Sequence, residues 1–344
     1  VPPVEKAAAT VYLHTAAGIL RLNSTAGLDS LVSGDFTAAV FTSDASLAAY
    51  TQDGKLWISP MDSAAAPVEV KAAPDKALLP EFTGSQEAIQ PARYAWQTGP
   101  TTLVVEYKAS LLDMQTILGY ALVNPETGLR RDFVAHSETG TSIFAPNGRT
   151  VLVVNAVSLD PALSLVNLNN RTEVNAALKL PLPALLDTPR YLTPYIQWAQ
   201  NSSEVYAAFY LPQDAAARTP CQIDCTLSVA ALRPDGSVVS IGQIPGVFDG
   251  SALPVMAISG NGQFAAYSAA DGTHLYDFAG KTDRVILPLR STSLVWAPGS
   301  ERMAAASEDG RAAILTTDGK VEIFGADGEE VSDLVWADSN TLVY

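Results

Sequence analysis

Leu294-Val295-Trp296-Ala297-Pro298-Gly299-Ser300-Glu301-Arg302-Met303-Ala304-Ala305-Ala306 is the stretch on which the fold turns. It reads as a short apolar strand ending in an aromatic, a polar turn, and a second strand of small apolar residues. The same unit recurs along the chain: Val40-Phe41 then Leu47-Ala48-Ala49-Tyr50, Ala95-Trp96 then Leu103-Val104-Val105, Ile143-Phe144 then Val151 to Val154, and Gln197-Trp198 then Val205 to Ala208. A weaker copy, Ile258-Ser259 then Phe264 to Tyr267, precedes the quoted stretch, and Val335-Trp336 then Leu342-Val343-Tyr344 follows it.

The anchors at 41, 96, 144, 198, 259, 296 and 336 lie 55, 48, 54, 61, 37 and 40 residues apart. Intervals of about 40 to 50 residues are those of four-stranded propeller blades, and the longer ones need only loop insertions. Third and fourth strands follow each pair, divided by turn residues such as Asp53-Gly54, Asp235-Gly236 and Asp318-Gly319. No helix-period segment interrupts them. The expectation is an all-β, seven-bladed β-propeller in one domain of residues 1–344. It is closed by strands from both termini, with the seventh blade shared between about 10–34 and 331–344. Alanine-rich second strands suit that fold, because small side chains let twisted sheets approach while the aromatics fill the gaps.

The repeat, together with Asp53-Gly54-Lys55-Leu56-Trp57-Ile58 and Met61-Asp62, resembles the bacterial TolB-type and WD-repeat-like propellers. The resemblance covers nearly the whole chain and implies a scaffold, not a chemistry. Proteins of that kind are often periplasmic or secreted adaptors.

Charge and composition narrow the partners. Lys and Arg number 21 against 36 Asp and Glu, a net charge of −15, which excludes a nucleic-acid partner. The longest apolar runs fall far short of the ~20 residues that span a bilayer, so no transmembrane segment is expected. The start at Val1 reads as a processed end, compatible with a removed signal peptide or a lipid anchor ahead of it. The two cysteines, Cys221 and Cys225, are spaced for a small disulfide, which is favoured over two free thiols and points to an extracytoplasmic, periplasmic, secreted or cell-surface setting.

Catalytic signatures are absent: there is no Gly-x-Ser-x-Gly, no His-Glu-x-x-His and no phosphate loop. The Asp-Gly pairs lack the ladder of oxygens that calcium needs and read as hairpin turns. His14, His136 and His274 each lie in or beside a strand with no carboxylate cluster in view, so no metal and no cofactor are expected.

Insertions fall on one face, at 72–93, 108–115, 180–195, 211–225 and 242–256, and carry Leu78, Leu79, Phe82, Leu111, Leu112, Asp187, Arg190, Tyr191, Tyr195 and Phe248 outside the repeat. Long loops on a rigid scaffold are the usual seat of recognition. The expected function is therefore non-enzymatic: binding a protein partner, or assembling a complex, through that face. Two other classes stay open. One is a metal-dependent lactonase-like or lyase-like propeller enzyme with polar groups among Asp113, Asp187, Arg190, Asp249 and His274. The other is a glycan binder using Tyr191, Tyr195 or Phe248.

Overall fold

A computed structural model describes residues 12–15, 18–22, 28–33, 36–61, 65–99, 101–111, 114–155, 162–176, 195–210, 225–248, 254–299, 301–324, 331, 334–336 and 342–343. Among them the only helices are two short 3-10 turns, at Lys76–Leu78 and Gln86–Ala88. Everything else that is regular is antiparallel sheet. Six sheets have four strands each, ordered as they occur in the chain.

Blade 1 comprises Phe36–Phe41, Leu47–Gln52, Lys55–Pro60 and Val68–Glu69. Blade 2 comprises Gln90–Gln97, Thr102–Leu111, Met114–Val123 and Arg130–Thr139. Blade 3 has Thr141–Phe144, Thr150–Asn155, Ala162–Asn167 and Thr172–Asn175. Blade 4 has Tyr195–Trp198, Val205–Tyr210, Cys225–Leu232 and Val238–Phe248. Blade 5 has Met256–Ile258, Phe264–Ala269, Gly272–Asp277 and Thr282–Leu287. Blade 6 has Ser291–Trp296, Arg302–Ser307, Ala312–Thr316 and Val321–Phe324. Val335–Trp336 pairs with Leu342–Val343 at the seventh repeat, and Tyr12–Thr15, Gly18–Leu22 and Leu28–Ser33 form a three-stranded sheet. Each anchor of the sequence repeat thus lies at the end of the first strand of a sheet or within one residue of it, and the fold is a β-propeller.

The chain divides into two compact units, residues 1–155 with 166–172 and residues 156–165 with 173–344. In the first, Leu103, Val105, Leu118 and Ala121 of blade 2 pack with Ile58 of blade 1, while Val104, Ile117 and Tyr120, on the opposite face of blade 2, pack with Val151 and Val153 of blade 3. In the second, Tyr206 and Ala208 of blade 4 pack with Ile258 and Ala265 of blade 5, and Ala266 of blade 5 packs with Trp296 and Ala305 of blade 6. The second strands are sealed: Ala48, Ala49, Ala265, Ala266 and Ala304 to Ala306 are all 0% exposed.

A recurring device ties neighbouring first strands. Trp96 Nε1 donates to the Val40 carbonyl at 3.1 Å, Trp296 Nε1 to Ala257 at 3.0 Å, and Trp336 Nε1 to Val295 at 3.1 Å. Gln197 does the equivalent work toward blade 5, donating to the Ile258 carbonyl and accepting from its N–H. The aromatics are therefore both filler and staple.

The turns fold as their residues dictate. At Asp53-Gly54 both residues have positive φ, 51° and 72°, the geometry of a two-residue hairpin turn. Asp44, Asn147, Asn201, Asp235 and Asn261 each accept the backbone N–H two residues on, so their side chains serve their own turns.

Two expected insertions are in part strand. Residues 108–111 continue the second strand of blade 2 into a hairpin in which Leu111 pairs with Met114, because Tyr107 and Ala109 alternate inward with Lys108 and Ser110 on the other face. Likewise the fourth strand of blade 4 runs on to Phe248 through Pro245, which an edge strand tolerates. No helix among the described residues is long and apolar enough to cross a membrane.

Candidate functional site

Polar groups gather on the face of blade 2 that carries Tyr120, in the first unit. The third strand of that blade contains a bulge: both its ladders shift register between Ile117 and Gly119. Gly119 sits at φ 143°, and a Cβ there would lie 2.3 Å from the Val134 carbonyl oxygen, so only glycine fits. The bulge leaves Ile117 and Tyr120, three positions apart, on one face.

Alternation along the fourth strand then sets His136 and Glu138 on that face too. His136 is 8% exposed and its ring stacks on Tyr120, 6.2 Å between centroids at 27°. Its Nε2 lies 3.2 Å from Glu138 Oε2. The other oxygen of Glu138 accepts a hydrogen bond from Asn155 Nδ2 at 2.8 Å, and Tyr120 shares a 2.8 Å hydroxyl contact with the buried Ser142. Nearer the first strand, Glu106 is fully buried with Lys108 Nζ 3.3 Å from its Oε1, and Arg93 donates to the Ser142 carbonyl. A buried carboxylate is expensive unless paired, and Lys108 supplies the countercharge.

The donor chemistry suits a first-row divalent ion. Imidazole nitrogen and carboxylate oxygen are its ordinary ligands, and two of them bound at ~2.1 Å would stand roughly 3.0–3.4 Å apart, the separation seen here. Asn155, holding the far oxygen of Glu138, is the outer partner that orients such a ligand.

His274 is built differently. Its Nε2 lies 2.8 Å from Asp271 Oδ1 and its Nδ1 3.1 Å from Asp283 Oδ2, while Tyr267 stacks on the ring at 5.0 Å and donates to Asp283. Burial and the Asp283 carboxylate push the Tyr267 hydroxyl far up. With carboxylates on opposite nitrogens, this cluster staples blade 5 rather than offering converging donors. The expectation that no histidine has carboxylates beside it is corrected at both His136 and His274. The overlooked signals are His136-x-Glu138, which alternation puts on one face, and a hairpin partner strand bringing Asp283 to His274.

The residues expected at a binding face that the structure describes belong to several elements. Leu79 and Phe82 are buried against Leu118 and Tyr107, Leu78 is 43% exposed, and the three line a cavity of about 250 Å³. Leu111 ends a strand of blade 2, and Phe248 ends one of blade 4, in register with Cys225. Tyr195 begins blade 4, half-buried, with its hydroxyl on Gln197 and its ionisation pushed up by burial. Cys225 is buried and not a free thiol. Leu112, Asp187, Arg190, Tyr191 and Cys221 lie outside the described residues, as do Asp113 and Asp249.

No family model and no curated protein matches the chain. Its fold is found among solved structures. An oligogalacturonate lyase in complex with manganese is 10% identical over 89% of this chain and 81% of that one, with a TM-score of 0.56. The oligogalacturonate lyase of Vibrio parahaemolyticus is 12% identical over 88% and 84%, with a TM-score of 0.57. These likenesses define a β-propeller fold. They also correct the expected non-enzymatic, partner-binding function: both of these similar structures are oligogalacturonate lyases, one of them in complex with manganese, and blade 2 carries metal-type donors where none were expected.

Proposed function

We propose that this chain is a metal-dependent propeller enzyme of the lyase or lactonase kind, with His136 and Glu138 among the ligands of its ion. The observation that carries the reading is the buried His136 at ligand spacing from the half-buried Glu138, with Asn155 fixing the carboxylate. Manganese in one similar propeller supports the choice of ion. A divalent ion there would act as a Lewis acid on a carbonyl or carboxylate oxygen. Tyr120 holds the imidazole by stacking, and Lys108 is a cationic group on the same face.

The test is metal analysis of the purified protein after dialysis against manganese. About one ion per chain is expected, falling to background in His136→Ala and Glu138→Gln. Wild-type protein without stoichiometric metal would overturn the reading.

A TolB-type or WD-repeat-like origin of the blades belongs to the same proposal and rests on the 53–62 stretch. So does an extracytoplasmic site of action, which rests on the Cys221–Cys225 disulfide expected from their spacing. Intact mass after alkylation, with and without reductant, tests that bond: two alkyl groups added without reductant would sink it.

A further inference from the structure

On the other face of the strand Arg130–Thr139 lies the cavity of about 250 Å³, and it has no part in the metal chemistry proposed above. Its roof is the connection between blades 1 and 2, which is built to hold its shape. Gln86 donates to the Pro74 carbonyl at 2.9 Å and accepts from the Lys76 N–H at 3.0 Å, and Arg130 donates to the Ala73 carbonyl at 2.9 Å. Gly84 lies under the Phe82 ring, where a Cβ would come within 2.4 Å of it.

The walls are apolar: Leu79 and Phe82 from the roof and Leu118 from the sheet, with Leu78 at the mouth. The floor is formed by Ala135–Ser137 of the fourth strand, the edge of its sheet among the described residues, where Ala135 and Ser137 present backbone donors and acceptors. Alternation turns the His136 ring to the opposite face, where it meets Tyr120. Apart from His136, Glu81 is the one ionisable residue among those lining the space, and no Lys or Arg lines it.

We propose that this cavity is a second ligand site, for a neutral small molecule with an apolar, ring-sized body and one amide- or carbonyl-type group to meet the edge strand. Size and charge both select that class. A dry cavity of about 150 Å³ accepts benzene, so this one admits a substituted ring. An anion would face Glu81 with no cation on the wall to offset it, in a chain of net charge −15.

Benzamide and benzoate, nearly identical in shape and differing in charge, separate the possibilities. In a heteronuclear NMR titration of the full chain, benzamide is expected to shift the Ala135 and Ser137 amides saturably, and benzoate to bind at least tenfold more weakly. Ala135→Trp, at an exposed position, fills the space and should abolish the benzamide shifts. Leu78→Lys, at the exposed mouth, should strengthen benzoate at least tenfold. Equal binding of the two probes by wild type, no binding of benzamide, or benzamide binding that survives Ala135→Trp would overturn the proposal. Repeating the titration after chelation keeps it separate from the metal reading, since the benzamide shifts should persist without the ion.

Discussion

The indole nitrogen of Trp296 donates its proton to the carbonyl oxygen of Ala257 at 3.0 Å, so one side chain spans from the first strand of blade 6 to that of blade 5. Replacing it with Phe keeps most of the packing and strands a buried carbonyl, which should lower stability by about 1–2 kcal/mol. Trp296→Ala loses the ring as well and should cost about 3–5 kcal/mol. Urea midpoints of the two variants check this: a Trp296→Phe midpoint equal to that of the wild type would mean that the hydrogen bond contributes nothing.

Ala305 packs against Trp296 and is fully buried. Ala305→Leu forces extra methylenes between two sheets and should destabilise by about 1–3 kcal/mol, visible as a lowered thermal midpoint. A midpoint unchanged or raised would show a void that the packing does not reveal.

Gly119 links fold and site. Gly119→Ala drives a Cβ into the Val134 carbonyl at a φ that L-residues avoid, so a loss of roughly 1–3 kcal/mol is expected. Because the bulge sets which residues share the face of His136, manganese affinity should fall as well, even well below the melting range.

Asn155→Ala leaves both ligands in place but frees one oxygen of Glu138. Manganese affinity should drop about 10- to 100-fold, against complete loss in His136→Ala. Calorimetric titration distinguishes the grades, and wild-type affinity in Asn155→Ala would remove Asn155 from the site.

Three turn aspartates shape the acid limb. Hydrogen bonds hold each carboxyl at about 2, below the ordinary 3.8: from Thr42 and Ser46 for Asp44, from Arg311 and Ser307 for Asp309, and from Thr316 and Lys320 for Asp318. A depressed folded-state value gives stability that is fully present above the unfolded value and lost as pH falls through about 2. Between pH 4 and 2 the wild type should therefore lose stability more steeply than the triple Asp→Asn variant. Parallel acid titrations followed by circular dichroism would expose the opposite order.

Much of the scaffold was legible because it repeats. Phe41, Trp96 and Trp296 occupy one structural position, and an aromatic followed six or seven residues later by small apolar residues has few other uses. The site was not legible, since it depends on what repetition does not encode. The spacing of His136 and Glu138 becomes informative only once their strand is known to run through Thr139, and Asn155 comes from the next sheet. The bulge at Gly119 is invisible to a period-two reading, which would put Ile117 and Tyr120 on opposite faces. Leu79 and Phe82 were singled out as surplus apolar residues, but their burial follows from a roof tied down by Gln86, a long polar side chain with no signature of its own.

The alanine-rich second strands of blades 1, 5 and 6 have a consequence for how such a chain can change. Where Ala49, Ala265 and Ala304 pack against the neighbouring layer they are fully buried, so any enlargement is felt across two sheets at once. The connection over residues 72–89 is anchored through Ala72, Leu79, Phe82 and Ile89, but between those anchors it can lengthen, acquire rings or shelter a void without entering the stack. New capability in this architecture accumulates at its seams and roofs, while the interior admits almost no innovation.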